Sequence, residues 1–218
     1  MIHHVTAPLS EPAGADDSLG EAVGRAQLGD SAAFTALYRE VQPRLLRYLT
    51  GLVSADAEDV ASEAWLQISR DLRTFSGTGD EFRGWCASIA RHRALDHLRA
   101  ARRRPSRAGG DDAAHLATLV AQVDVEGGVV DAEATRLALQ LIATLPRDQA
   151  EAVLLRVVMD LDVAGTARVL GKREGSVRTL SHRGLRRLAQ QLSSPTPTPA
   201  YDWMGEFLHT FAPGSNAQ

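Results

Sequence analysis

The sequence predicts an all-α protein: two small helical domains joined by an acidic flexible linker, the second ending in a helix-turn-helix. Three observations carry this expectation. Apolar residues recur at i, i+3, i+4 and i+7 in successive stretches, the spacing of helices that bury one face. Aromatic residues make up only 5% of the chain while Ala, Leu, Val and Arg abound, which favours helices over a sandwich or barrel. The periodicity breaks between residues 106 and 130, where Gly109-Gly110, Asp111-Asp112 and Gly127-Gly128 surround one weakly apolar piece, HLATLVAQV. With 218 residues the chain accommodates one large domain or two small ones.

Residues 1–17 mix His, Pro, Ser, Gly and Asp without period and are expected to be a disordered lead. The first helical domain is expected over residues 18–105. Asp30 or Ser31 can cap a helix carrying Phe34, Leu37, Tyr38 and Val41. Pro43 fits the first turn of a separate helix carrying Leu45, Leu46, Tyr48, Leu49 and Leu52. Asp56 then caps a third, DAEDVASEAWLQISRDLRTF, with Ala61, Trp65, Ile68, Leu72 and Phe75 as its apolar stripe. Its other side opens with Asp56, Glu58, Asp59 and Glu63. The helix dipole favours acids in a first turn, but four in eight residues suit a basic partner surface equally well.

The loop Ser76-Gly77-Thr78-Gly79-Asp80 leads into EFRGWCASIARHRALDHLRAARRRPSR, residues 81–107, read as one long helix closed by Pro105. Phe82, Trp85, Cys86 and Ile89 form its apolar stripe. From residue 83 to 107 it carries eight arginines against one acid, Asp96, so its far end suits a polyanion. The Gly-x-Gly of the loop is no phosphate cradle, because no strand precedes it.

The second domain is expected over residues 131–192. Leu137, Leu141 and Leu145 mark a helix ended by Pro146, and RDQAEAVLLRVVMD follows with Ala150, Val153, Leu154, Val157 and Val158 inward. Asp162 can cap a short helix ending at Leu170, Gly171 supplies a left-handed turn, and a longer helix starts at Glu174. These are the parts of a helix-turn-helix. Ala167, Leu170, Val177 and Leu188 would face inward; Lys172, Arg173, Ser176, Arg178, Thr179, His182 and Arg183 would be free to point outward. Residues 193–218 add a proline-rich extended linker, SSPTPTP, and an amphipathic tail, AYDWMGEFLHTF, too short to hold a helix unless it docks on this chain or a partner.

The formal net charge of −3 conceals a segregation. Residues 108–135 carry six acids and no Lys or Arg, whereas residues 172–187 carry six cations against Glu174 alone. Separate basic footprints suit nucleic acid, and the acidic linker is placed to lie across basic surface in its absence. The single cysteine, Cys86, excludes an intramolecular disulfide and a multi-cysteine zinc site, and its place on the stripe suits core packing. No apolar run approaches the ~20 residues that span a bilayer, and no export signal is visible, so membrane insertion is not expected and a cytoplasmic protein is. The seven histidines and the acids form no spacing suited to a nucleophile or metal. No catalytic residue, metal, cofactor or small-molecule substrate is expected.

Taken together these stretches resemble an extracytoplasmic-function (ECF) sigma factor, the two-domain minimal type of bacterial transcription initiation factor, over residues 19–192. DAEDVASEAWLQISRDLRTF looks like the family's core-polymerase-binding helix. EFRGWCASIARHRALDHLRAARRR looks like the segment that recognises and melts the promoter −10 element. LPRDQAEAVLLRVVMDLDVAGTARVLGKREGSVRTLSHRGLRRL looks like the −35-reading domain. The resemblance implies a polymerase clamp contact through Asp56, Glu58, Asp59 and Glu63. It implies −10 DNA contacts through Arg91, His92, Arg93, Asp96, Arg99, Arg102, Arg103 and Arg104, with Gly77, Thr78, Gly79 and Asp80 forming the pocket for a flipped base. It implies −35 contacts through Lys172, Arg173, Ser176, Arg178, Thr179, His182 and Arg183. Core RNA polymerase, promoter DNA and an anti-sigma factor are the implied partners. Trp85 lies on the apolar stripe, with stacking near opened DNA as the alternative.

The chain departs from the family pattern at Val163-Ala164-Gly165-Thr166, where a larger apolar residue and acids are common. Gly165 should weaken that helix by about 1 kcal/mol relative to Ala. It departs again at Leu180-Ser181, where an Arg-Leu pair is typical, and at Gly184. These departures bear on the −35 sequence read and on the stability of the second domain. The competing expectation is a helix-turn-helix regulator that never joins polymerase. That class would need an N-terminal receiver or ligand domain, and the first half shows no such pattern.

Overall fold

The computed structural model describes residues 15–103 and 129–193, and every regular element among them is a helix. The expectations for residues 1–14, for 104–128 (with Arg104, Pro105 and most of the acidic linker) and for the tail from 194 fall outside these residues, whereas residues 15–17, 129–130 and 193, read as lead, linker and tail, are the ends of helices.

Helix α1 (Ala15–Gln27) is followed by α2 (Ser31–Val53). The extended Asp30 caps α2, its carboxylate accepting from the Ala32 and Ala33 amides at 2.9 and 3.0 Å. Pro43 does not separate two helices: it lies inside α2. It sits on the exposed side, where the carbonyl it leaves unpaired can meet water. On the other side Leu37, Val41, Leu45, Tyr48 and Leu49 are all fully buried, so one continuous apolar face holds the helix together across the proline.

A 3₁₀ turn (Ser54–Asp56) leads into α3 (Ala57–Asp71). Asp56 makes no capping hydrogen bond, contrary to the sequence expectation, because the chain enters from the 3₁₀ turn and not from an extended residue. Its carboxylate instead meets His97 Nε2 at 2.9 Å. Ala61, Trp65, Ile68 and Leu72 are buried as read. A second 3₁₀ turn (Leu72–Thr74) is pinned to α1, where Gln27 Nε2 donates to the Leu72 and Phe75 carbonyls at 3.0 and 2.7 Å.

Helix α4 (Gly79–Arg103) begins two residues before the sequence suggested. Phe82 and Cys86 are fully buried and Ile89 nearly so, while Trp85 is half-buried against Phe75 and Phe82 at ring separations of 5.2 and 5.8 Å. Burial pushes the Cys86 thiol well above its ordinary pKa, which keeps it an unreactive core residue.

The second domain runs α5 (Val129–Ala143), α6 (Arg147–Val153, continuing as a π turn over Leu154–Val158), α7 (Val163–Leu170) and α8 (Glu174–Ser193). Asp162 caps α7 through a 2.6 Å bond from the Gly165 amide, and a Cβ on Gly165 would come within 2.9 Å of that carboxylate oxygen. Gly165 therefore gives up helix propensity but keeps the cap tight. Gly171 closes α7 in the left-handed region at φ 62°, with the Lys172 amide reaching the Ala167 carbonyl at 3.0 Å. Ala167, Leu170, Val177 and Leu188 are buried as expected; so are Ser181 and Gly184, through which α8 approaches α6 closely.

Candidate nucleic-acid interface

Three surfaces hold the residues singled out from the sequence. On α3, Glu58, Asp59 and Glu63 are exposed on the side away from the core, with no ion pair to any of them among the described residues. Asp56, at the head of the same face, is shared with His97 of α4. Leu66, one turn beyond Glu63, is 56% exposed and extends this face with an apolar patch that charge patterning alone did not reveal.

The loop before α4 is held by a reciprocal capping box. The Thr78 amide donates to Glu81 Oε2 at 3.0 Å, and Thr78 Oγ1 accepts from the Glu81 amide at 3.2 Å. A Cβ on Gly77 would lie 2.7 Å from Glu81 Oε2 and 3.1 Å from the Phe75 ring, so the loop closes only with glycine there. Asp80 pairs with Arg83, which is buried, so this arginine is not part of the outward basic run.

The remaining arginines of α4 divide by environment. Arg93 donates to Gln67 Oε1 of α3 at 2.8 and 3.0 Å, tying the two helices together. Arg99 is exposed and pairs with Asp96 of its own helix at 2.9 Å. His92 and Arg103 are exposed, and the side chain of Arg102 is outside the described set. Arg91 points elsewhere. Its Nε lies 2.6 Å from Glu151 Oε1 and its Nη2 3.4 Å from Oε2, across to the second domain. Glu151 is buried, and its Oε1 also accepts from the hydroxyl of fully buried Tyr48 at 3.3 Å. Burial alone would lower the Arg91 pKa, but the hydrogen bond and charge of Glu151 carry it above the usual arginine value. Burial, and next the Glu151 charge, raise the Tyr48 phenol far above its ordinary range, so it stays a donor. Sequence reasoning missed this cluster because its members are 43, 60 and 103 residues apart, with no local spacing to read.

On α8 and its turn, Arg173, Ser176, Arg178, Thr179, His182 and Arg183 are exposed. Lys172 is half-buried beside Asp148 at 3.0 Å, and Arg178 pairs with Glu174 at 2.8 Å. The cations thus stand on one open side of a short helix pair, the arrangement that lets a second helix enter a major groove. Among the described residues no group of three or more His, Cys, Asp or Glu side chains is placed to hold a metal, and no helix is long and apolar enough to cross a membrane.

Comparison with known proteins matches residues 37–104 to the family described as Sigma-70 region 2 and residues 135–188 to Sigma-70, region 4. The chain is 36% identical over 185 residues to the ECF RNA polymerase sigma factor BldN of Streptomyces coelicolor, covering 83% of this chain and 69% of that one. It is 32% identical over 182 residues to the ECF RNA polymerase sigma factor ShbA of Streptomyces griseus, covering 78% and 93%. Its fold is similar to that of the sigma factor RpoE from Bartonella quintana, solved in complex with the anti-sigma factor NepR, with a TM-score of 0.57 at 19% identity over 75% of this chain and 98% of that one.

Proposed function

This chain belongs to the extracytoplasmic-function (ECF) sigma factors of bacterial RNA polymerase, and on that premise we propose how its surfaces divide the work of promoter-specific transcription initiation. The acidic side of α3, with Asp59 and Glu63 at its centre, captures core polymerase. Residues 77–80, the end of the loop and the first residues of α4, and the arginine side of α4 engage the −10 region: arginines along the strand supply affinity through phosphates, and this offsets the few kcal/mol of unstacking a base. The exposed side of α8 enters the −35 major groove. The protein is a cytoplasmic, dissociable specificity subunit without catalysis of its own, and an anti-sigma factor restrains it, as suggested by the fold-similar RpoE bound to NepR.

The observation that carries this reading is the outward acidic face of α3, whose opposite side is core and whose acids Glu58, Asp59 and Glu63 no neighbouring cation neutralises among the described residues. Unpaired exposed carboxylates steer and select a basic partner more than they stabilise a fold. Reversing them with Asp59→Lys and Glu63→Lys should cut co-purification with core polymerase by about tenfold or more, the effect of roughly 1.4 kcal/mol. The helical circular dichroism should be unchanged. Undiminished capture of core would remove the assignment. Run-off transcription with purified core separates this function from that of a regulator, which alone starts no transcripts.

A further inference from the structure

The side of α4 that presents Gly84 and Arg91 packs against the second domain, with Glu81 exposed at its edge. These positions recur at helical spacing along one face. Arg91 is held through two nitrogens by a carboxylate that is itself buried and braced by Tyr48. A forked guanidinium–carboxylate pair is the geometry with which an arginine would otherwise grip a phosphate. Around it the fit is close: a Cβ on Gly51 of α2 would lie 2.6 Å from Leu154 Cδ1, and one on Gly84 would lie 3.9 Å from Leu161. At the rim Arg44 faces Asp160 at 3.5 Å, and Arg168 of α7 approaches Glu81 at 3.9 Å, the residue that locks the loop before α4. The cations of α8, by contrast, face away from this contact and stay exposed.

We infer that Glu151 is the latch of an autoinhibited closed state, occupying Arg91 as a stand-in for DNA phosphate and holding α7 against α4 at the edge of the −10 loop while leaving the −35 surface open. The inference rests on the reading that α4 faces −10 DNA. It goes beyond that reading by making the free chain selective: duplex binding is permitted and single-strand binding is withheld. Buried, the pair is poorly screened by salt, so ionic strength alone does not release it.

The test uses the full chain without polymerase, comparing wild type with Glu151→Gln, which keeps the shape and removes the charge. Small-angle scattering should give a larger radius of gyration for the variant. Fluorescence anisotropy should show binding of labelled oligo(dT) strengthened by about fivefold or more, the lower range of site-to-site coupling, with binding of a mixed-sequence duplex unchanged. Adding Arg91→Ala to Glu151→Gln should cancel the gain. An equally expanded wild type, or a variant that binds the strand no better, would overturn the latch. A second arm does not depend on weakening the core: Arg44→Cys with Asp160→Cys, bridged by a reducible bismaleimide, should block run-off transcription with core until the bridge is reduced. Full transcription from the bridged protein would overturn the latch as well. Wild-type run-off in the same assay reports on the proposed function; were it absent, that reading would fall while scattering and strand binding still decide the latch.

Discussion

Gly184 shows how much a single missing side chain can decide. A Cβ there would stand 2.8 Å from Val153 Cγ2 and 3.4 Å from the Gln149 carbonyl oxygen, so α8 and α6 touch only because the residue is glycine and its neighbour Ser181 is small. Read from the sequence as a departure that bears on the stability of the second domain, it is instead the condition of close packing. Gly184→Ala should therefore lower stability by about 1–3 kcal/mol, an overpacking cost that outweighs alanine's helix propensity. Gly175, in the first turn of the same helix, has nothing within 4 Å of its would-be Cβ, and Gly175→Ala should stabilise by up to about 1 kcal/mol. Opposite shifts in thermal midpoint check the pair; parallel shifts would mean that the α6–α8 contact is looser than described. Gly51 against Leu154 obeys the same rule between domains. Neither requirement was legible beforehand, since a glycine in a helical stretch reads alike whether it is exposed or pressed on a neighbour.

The helix ends were the most legible elements. The register of the helix-turn-helix followed from Asp162, Gly171 and the cations after them, because a cap and a left-handed turn are local devices that adjacent residues complete. Three element-level expectations did not hold, each where tertiary packing outweighed a local preference. Pro43 sits within α2, Asp56 gives its carboxylate to His97 instead of a cap, and along α6 and its π turn Glu151 and Leu155 are buried, as is Met159 just beyond, while Val157 and Val158, read as inward, are only partly buried. That last segment is covered from two sides, whereas a single-faced helical period assumes one. The capping box of α4 carries an element-scale prediction. Thr78→Ala removes the hydroxyl that accepts from the Glu81 amide and should cost about 1 kcal/mol, seen as a lower urea midpoint. It should also loosen residues 77–80, seen as faster amide exchange at Thr78. Unchanged exchange there would mean that Gly77 packing alone fixes the loop.

At the scale of the whole molecule, the two family regions form one body with a contiguous buried core, and basic surface is distributed unequally over it. The end of α4, where Arg103 is exposed, lies beyond the part of the helix that packs against the second domain, and under the proposed function it is the portion that meets DNA first. Arg102→Ala with Arg103→Ala should reduce heparin-resistant promoter complexes more than core capture. It should also flatten the logarithmic salt dependence of DNA binding by about 0.9 for each phosphate no longer neutralised. Equal losses in both assays would place these residues at the polymerase contact instead. The sequence by itself determined the all-α class, the helix-turn-helix, the acidic face of α3 and the arginine run of α4. These follow from spacing, capping and charge along neighbouring residues. Only the tertiary structure decided that Arg91 is held by Glu151 beneath Tyr48, and that Leu154 occupies the notch left by Gly51. The physical reason is that helical periodicity records that a face is buried, while the identity of what buries it depends on how helices distant in the chain pack together.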